Sequence, residues 1–169
     1  PRAVTPIAIP LAADLKVKDL VDPAARVRFD ADGSGERGHW SWITRDAAWL
    51  VYDQKGTGQV TSGLQLFGNV TFWLFWDNGY EALSTLDDNA DGQLAGEELR
   101  PLALWRDANG NGVSEPGELT SLSDAGIVSL SCKRRSHASP HCKAFSPKGI
   151  SLRNGATRPT YDLILYPRK

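Results

Sequence analysis

The hydrophobic positions of this chain fall in short segments separated by turns rich in Asp, Asn and Gly. This alternation runs from Phe29 to Ile127. Near the C-terminus, the segment YDLILY from Tyr161 to Tyr166 alternates enough to predict a short terminal strand. Residues 1–27 contain four prolines and little periodicity, and this pattern predicts an extended arm.

These patterns divide the chain into three parts of one domain. The Pro-containing N-terminal arm occupies residues 1–27 and the turn-rich region occupies 28–131. A basic, Cys-containing loop and the C-terminal strand occupy 132–169 and pack on the same domain. The predicted fold class is a mostly irregular α+β domain, with short helices and small strands arranged around the polar turns. At 169 residues the chain is long enough to bury a core.

Composition and charge exclude some partners. The formal net charge is −1, so nothing indicates nucleic acid as a partner. The longest uncharged apolar run, Val70 to Trp76, is too short to cross a bilayer, and we predict no transmembrane segment. The sequence begins at Pro1 and has no Met, which indicates that a leader segment precedes it. We therefore expect a periplasmic or extracellular protein.

The cysteines point to the same compartment. Cys132 and Cys142 are the only two, and nine loop-like residues separate them. An even count with this spacing favours a disulfide, and the alternative is two reduced thiols. A zinc site with His137 and His141 fits less well, because His141 and Cys142 are adjacent and joint tetrahedral ligation is awkward.

Two segments place polar residues in the register of a twelve-residue calcium loop. Such a loop needs side-chain oxygens at positions 1, 3 and 5, a Gly at 6, a carbonyl at 7 and a Glu at 12. The first register is Asp87, Asn89, Asp91, Gly92, Gln93 and Glu98; the second is Asp107, Asn109, Asn111, Gly112, Val113 and Glu118. The alternative is a pair of Asn/Gly turns, but a turn needs no Glu six residues after the Gly. We interpret both as EF-hand-like sites, each holding one calcium ion.

The remaining Asp-rich turns are less complete. A weaker third calcium site is predicted around position 30, with the candidate ligands Asp30, Asp32, Ser34 and Glu36. The turn at Asp53 has Lys55 at position 3, where a cation opposes the metal, so we expect it to be empty. Only eight residues separate the two complete loops, and a short helix around Pro101 to Trp105 is predicted to join them.

Aromatic residues are dense for a chain of this length. About half of them are expected to fill the core. Neighbouring rings in the segment 72–76 cannot all face one core, so some should be exposed. Phe72, Trp73, Phe75 and Trp76 are therefore predicted to bind a protein partner, a larger assembly or a membrane surface. The run Lys133 to Arg135 is interpreted as a solvated face of a loop.

The order of these motifs resembles a known family. FDADGSG, WSWITRDAAWLVYD, LQLFG, GYEAL, LDDNADG and LALWRDANGNGVSEPGEL follow one another over about residues 22–131. This order resembles the EF-hand-like calcium-binding domain of secreted bacterial RTX-type proteins, including the self-processing module of iron-regulated RTX proteins. The resemblance implies an irregular domain organised by calcium. In self-processing members it also implies calcium-dependent scission of an Asp-Pro bond, which here is Asp22–Pro23, although Lys55 and Gln65 depart from the family pattern.

The predicted function is therefore an exported calcium-binding module in which calcium is structural. It would serve as a protein-binding domain or accessory subunit of a larger, membrane-associated or soluble assembly. One alternative is autoprocessing at Asp22–Pro23, which is the only enzymatic candidate. The other is a calcium-sensing switch, which should bind calcium more tightly than a structural module and expose apolar surface.

Overall fold

Strands form most of the regular structure. The computed structural model describes residues 2–169, apart from the side chain of Ala138, so Pro1 of the predicted arm lies outside the described residues. The strands are β1 (Ile7–Pro10), β2 (Val21–Phe29), β3 (Gly38–Ile43), β4 (Ala47–Tyr52), β5 (Gln93–Ala95), β6 (Leu102–Trp105), β7 (Leu119–Ser121), β8 (Ile127–Ser131), β9 (Arg135–Ser139), β10 (Cys142–Leu152), β11 (Thr157–Leu163) and β12 (Pro167–Arg168). The α-helices are α1 (Val17–Leu20) and α2 (Gly79–Ser84), and short 3-10 turns occupy Gly63–Gln65, Thr71–Trp73 and Gly96–Leu99.

The strands belong to two antiparallel sheets. Eight strands of the larger sheet follow the order β5-β8-β10-β11-β1-β4-β6-β7, and β9 adds to β10 outside this path. The smaller sheet has the order β12-β3-β2. The expected α+β domain of short helices and small strands is therefore wrong: the fold is mostly β, with a curled large sheet.

The large sheet separates two hydrophobic cores. Successive residues of a strand point to opposite faces, and β1 shows this directly. Ala8 belongs to the core that the smaller sheet covers, whereas Ile7 and Ile9 belong to the core on the other face. Both faces of β1 are buried. This short strand comes from the segment predicted as an arm, and it lies between β4 and β11 in the large sheet. Burial on both faces explains why its sequence lacks an apolar-polar alternation.

The segment between the Asp-rich loops that begin at Asp87 and Asp107 is a strand, and the predicted helix over Pro101 to Trp105 is wrong. Leu102 pairs with Tyr52 and Trp105 pairs with Trp49 in an antiparallel register. All four residues of β6 are buried. A short apolar run does not distinguish a buried strand from a buried helix, and pairing with β4 and β7 decides in favour of the strand.

The C-terminal segment is partly as predicted. Tyr161–Leu163 ends the longer strand β11, which pairs with β10 and β1. Leu165 makes only an isolated bridge with Val4. In residues 2–169, no helix has both the length and the apolar character needed to span a bilayer.

Candidate functional site

Four Asp-rich turns of this chain share one hydrogen-bond pattern. In each, the Asp carboxylate accepts a hydrogen bond from the main-chain N–H of the Gly five residues later. The pairs are Asp30–Gly35 at 3.2 Å, Asp53–Gly58 at 2.9 Å, Asp87–Gly92 at 2.8 Å and Asp107–Gly112 at 2.8 Å. All four glycines have φ between 67° and 86°, in the left-handed region that other residues rarely adopt. The Gly at position 6 of each register is therefore required by the backbone.

The loop that begins at Asp87, called here the first loop, is closed by Glu98. One Glu98 oxygen accepts from the N–H of Asp88 at 2.9 Å, and the other accepts from the N–H of Ala95 at 3.0 Å. The carboxylate thus folds back onto the start of its own loop. The Asp91 N–H donates to Asp87 at 3.2 Å, which holds that carboxylate toward the same centre.

The loop that begins at Asp107, called here the second loop, repeats these bonds position for position. Glu118 accepts from the N–H of Ala108 at 3.2 Å and from the N–H of Glu115 at 3.1 Å. The Asn111 N–H donates to Asp107 at 3.1 Å. The side chain of Val113 has no oxygen or nitrogen atom, so this position could offer a cation only its main-chain carbonyl.

The two loops differ in their contact with the core. The Trp42 indole N–H donates to the Asp107 carboxylate at 2.8 Å, and the Trp105 indole donates to Glu118 at 3.3 Å. Asp107 is only 2% exposed, whereas Asp87 is half-buried and receives no indole. No sequence signal predicts the bond between Trp42 and Asp107, because 65 positions separate them.

The contacts of the two incomplete loops, at Asp30 and Asp53, explain why their sets of candidate ligands are weaker. In the loop at Asp30, position 12 is Ser41, which lies buried in β3 and accepts the Tyr166 N–H at 2.9 Å. No carboxylate closes this loop from that position. In the loop at Asp53, one carboxylate oxygen accepts both the N–H and the hydroxyl of Thr57, as in an ordinary polar turn.

The donor chemistry of the first and second loops fits a hard cation. Carboxylate and amide oxygens occupy positions 1, 3, 5 and 12, which are the oxygen donors that calcium takes. Across residues 2–169, no three His, Cys, Asp or Glu side chains gather as a metal-holding group by themselves. A cation in these loops would therefore also need the amide of position 3 and the main-chain carbonyl of position 7.

The aromatic loop, residues 71–76, splits into inward and outward side chains. Phe72 packs edge-on against Tyr52, with ring centroids 5.1 Å apart, and Trp76 is half-buried. Trp73 and Phe75 are 69% and 89% exposed. Leu74, which the sequence did not single out, is exposed beside them. Of the four residues predicted to contact a partner, two are available on the surface and two anchor the loop.

The predicted disulfide is not supported, because both cysteines are free thiols. Cys142 begins β10 and belongs to the core beneath the smaller sheet, whereas Cys132 packs against the core on the opposite face. Burial raises the pKa of each thiol to about 12. The two residues are therefore unreactive parts of separate cores.

The Asp22–Pro23 bond lies on the surface of β2. Asp22 is exposed, and its carboxylate accepts the N–H of Ala24 at 2.9 Å, which folds the side chain over Pro23. The pairing of β2 with β3 shifts register between Asp22 and Val27, as at a β-bulge. The Arg168 guanidinium donates to the Pro23 carbonyl.

Comparison with known proteins identifies the family. The SPM domain family matches residues 14–165, which is most of the chain. The chain belongs to the SPM domain family. It is also 35% identical over 130 residues to the iron-regulated protein FrpA of Neisseria meningitidis serogroup C. This alignment covers 72% of the present chain and 12% of FrpA, so this SPM domain spans only a small part of its relative.

Proposed function

We propose that this SPM domain is a calcium-organised module of an exported bacterial protein, with calcium in a structural role. The observation that carries the proposal is the matched closure of the two loops, in which Glu98 and Glu118 fold back onto the first residues of their own registers. Calcium, when bound, supplies the positive charge that offsets the converging carboxylates.

The charge of the two-loop segment supports this role. Residues 87–118 contain eight acidic side chains and only two basic ones. One of the basic side chains, Arg100, forms an exposed ion pair with Glu97, which lies outside the ligand register. Without a cation, the remaining carboxylates repel one another at short range. The calcium-free domain should therefore be looser in this segment.

The fold favours a structural role over a sensing role. A calcium sensor of the EF-hand type changes the angle between two flanking helices and exposes an apolar groove. In residues 2–169 the link between the loops is β6, which is paired on both sides inside the large sheet. A paired central strand leaves little freedom for such an opening. We therefore favour a structural role for calcium over a calcium-sensing role.

Calorimetric titration of the chelator-treated protein with calcium should detect two sites. We expect dissociation constants of roughly 0.1 to 1 mM, as in extracellular calcium modules. Glu98→Gln should remove the first-loop site and Glu118→Gln the second, because each removes the closing carboxylate. Glu97→Gln is the matched control, since it removes the same charge from an exposed residue. Absence of binding in the parent protein would refute the proposal.

Self-cleavage at Asp22–Pro23 is the second candidate function. The exposed bond and the Asp22 side chain folded over Pro23 favour it. An Asp22 carboxylate oxygen would bond to the Asp22 carbonyl carbon as the bond to the Pro23 nitrogen breaks, and that nitrogen would take a proton from water. Water would then open the resulting cyclic anhydride.

A denaturing gel tests this candidate separately from calcium binding. Calcium should convert the intact chain into fragments 1–22 and 23–169, and Asp22→Ala should abolish both fragments. Asp14→Ala, another exposed acidic residue upstream, should still be cleaved. A single intact band with calcium-loaded protein would refute self-cleavage and would not affect the proposed structural role.

A further inference from the structure

We propose that the aromatic loop and a neighbouring basic cleft together bind the surface of an anionic lipid bilayer. The basic cleft is lined by Ser131, Lys133, Arg134, Arg135, Ser146, Pro147 and Lys148. This proposal names the partner that the aromatic loop would contact, and it does not depend on calcium binding.

The outward side chains of the aromatic loop are consecutive. Trp73, Leu74 and Phe75 are 69%, 53% and 89% exposed. Single exposed apolar residues are ordinary, but three neighbours of this size form a patch that usually marks an interaction surface. Trp in particular is enriched where apolar and aqueous regions meet at a membrane.

The loop is held in a strained shape that keeps these side chains outward. Phe72 and Trp73 have φ of 58° and 61°, a left-handed conformation that bulky residues rarely adopt. The Thr71 hydroxyl accepts the Gly68 N–H at 2.7 Å, and the Trp76 indole donates to the Thr71 carbonyl at 2.9 Å. These bonds fix both ends of the loop. The exposure of its tip is thus built into the fold.

The basic cleft has the opposite charge to an anionic bilayer. Its volume is about 330 Å³, and four cationic side chains and two serine residues line it with no carboxylate among them. The surrounding segment 132–148 contains five Lys or Arg and no Asp or Glu, although the whole chain has a net charge of −1. The lining of the cleft is therefore locally cationic, with Arg134 paired to Glu81 and Lys133 beside Gly92 of the first loop. Each Lys or Arg near anionic headgroups adds to the attraction.

Two ion pairs connect the basic segment 132–148 with the residues that follow the aromatic loop. Lys143 of β10 contacts Asp77, directly after the aromatic loop, with an N–O distance of 3.3 Å. Arg134, from the lining of the cleft, contacts Glu81 of α2 at 3.2 Å. The cleft would thus contact the lipid headgroup phosphates, and the apolar side chains of the aromatic loop would enter the interfacial level of the bilayer beside it. Cations beside exposed aromatics match an anionic lipid surface, where the cations meet headgroups and the apolar side chains enter the interface.

Co-sedimentation of the full chain with vesicles tests the proposal. The probes are vesicles of phosphatidylcholine alone and of an equimolar mixture of phosphatidylcholine and phosphatidylglycerol. We expect sedimentation with the anionic vesicles only, and weaker binding as the salt concentration rises. Lipids brominated in their acyl chains should quench tryptophan fluorescence, because Trp73 would lie at the interface. Binding to anionic vesicles should persist in chelator, which separates this test from the calcium titration.

Variants of the two features should each weaken the binding. Trp73→Ser with Phe75→Ser, and separately Arg135→Glu with Lys148→Glu, should lower the partition coefficient by about tenfold or more. Neither pair takes part in the two ion pairs, so the local structure should persist. The control is a double charge reversal at Lys18 and Lys55, which are exposed and lie outside the cleft.

Any one of the following results would overturn the proposal. They are absence of sedimentation with anionic vesicles, equal binding to neutral and anionic vesicles, and equal loss of binding in the Lys18→Glu, Lys55→Glu control. Circular dichroism of each variant would establish that it remains folded. Folded variants of the aromatic loop with undiminished vesicle binding would likewise count against it, and would leave that loop as a surface for a protein.

Discussion

Trp42→Phe should destabilise the protein by about 1.5 to 3 kcal/mol, because a hydrogen bond to a charged group contributes roughly that much when its acceptor is buried. The Trp42 indole donates to the Asp107 carboxylate at 2.8 Å, and Asp107 is 2% exposed. Phenylalanine keeps an aromatic ring in the core but removes the donor. It would leave a buried carboxylate oxygen with one partner fewer, at the first position of the second loop.

Trp49→Phe is the matched control for this change. Trp49 is fully buried in the same cluster, with its ring centroid 5.4 Å from that of Trp42, but its indole N–H has no hydrogen-bond partner among the described residues 2–169. The substitution removes a similar volume and also removes an unsatisfied donor, so the two effects partly cancel. We therefore expect a smaller loss of stability than for Trp42→Phe.

Urea unfolding of both variants, with and without calcium, measures these differences. If the second loop binds calcium as proposed, Trp42→Phe should also weaken binding there and leave the first loop unchanged in the calorimetric titration. Equal losses of unfolding free energy for Trp42→Phe and Trp49→Phe would show that ring volume alone explains the effect. The hydrogen bond to Asp107 would then contribute nothing measurable.

The loops were predictable because their signals are local. The turn at Gly92 and the carboxylate contacts of Asp87 and Glu98 join residues no more than ten positions apart. A register of twelve residues therefore carries most of the geometry, and its internal hydrogen bonds appear in the structure. The bond from Trp42 to Asp107 spans 65 positions, and no local sequence pattern predicts it.

The architecture was harder to predict because its pairing is long-range. β1 lies between β4 and β11, so residue 8 pairs with residues 49 and 161. Three apolar residues between Pro6 and Pro10 resemble an arm until those partners are known. Leu102–Trp105 posed the same difficulty, because its burial on both faces removes the alternation that distinguishes a strand from a helix. The cysteines were close in sequence, but the large sheet separates their cores.

Gly112→Ala should destabilise the protein by about 2 to 5 kcal/mol, more than the equivalent change in the first loop. Gly112 has a φ of 69°, and for an L residue this conformation alone costs roughly 1 to 2 kcal/mol. A Cβ at this position would also lie 2.6 Å from the Arg28 carbonyl oxygen and 2.6 Å from a Val27 methyl carbon. Overlap with backbone in a packed region adds roughly 1 to 3 kcal/mol.

Gly92→Ala provides the comparison at the same loop position. Gly92 has a φ of 86°, so it carries a similar conformational cost. The nearest atom to its added Cβ is Cε of Lys133, 3.2 Å away, near the end of a flexible exposed side chain. That side chain can move aside, and we expect a loss of only about 1 to 2 kcal/mol.

Urea unfolding in chelator would separate the two glycines without a contribution from calcium. Gly112→Ala should lose more unfolding free energy than Gly92→Ala because the second loop packs against β2. There Arg37 also donates to the carbonyls of Arg28 and Gly112 at 2.8 and 3.0 Å. At the first-loop glycine only side-chain atoms of Lys133 lie near the added Cβ, and the backbone bond there, from the Cys132 N–H to the Gly92 carbonyl at 3.0 Å, leaves that space open. Similar losses for the two variants would mean that the second loop can move away from β2 at little cost. The indole bonds and the bond from the Val60 N–H to the Ser114 hydroxyl would then hold the second loop to the core.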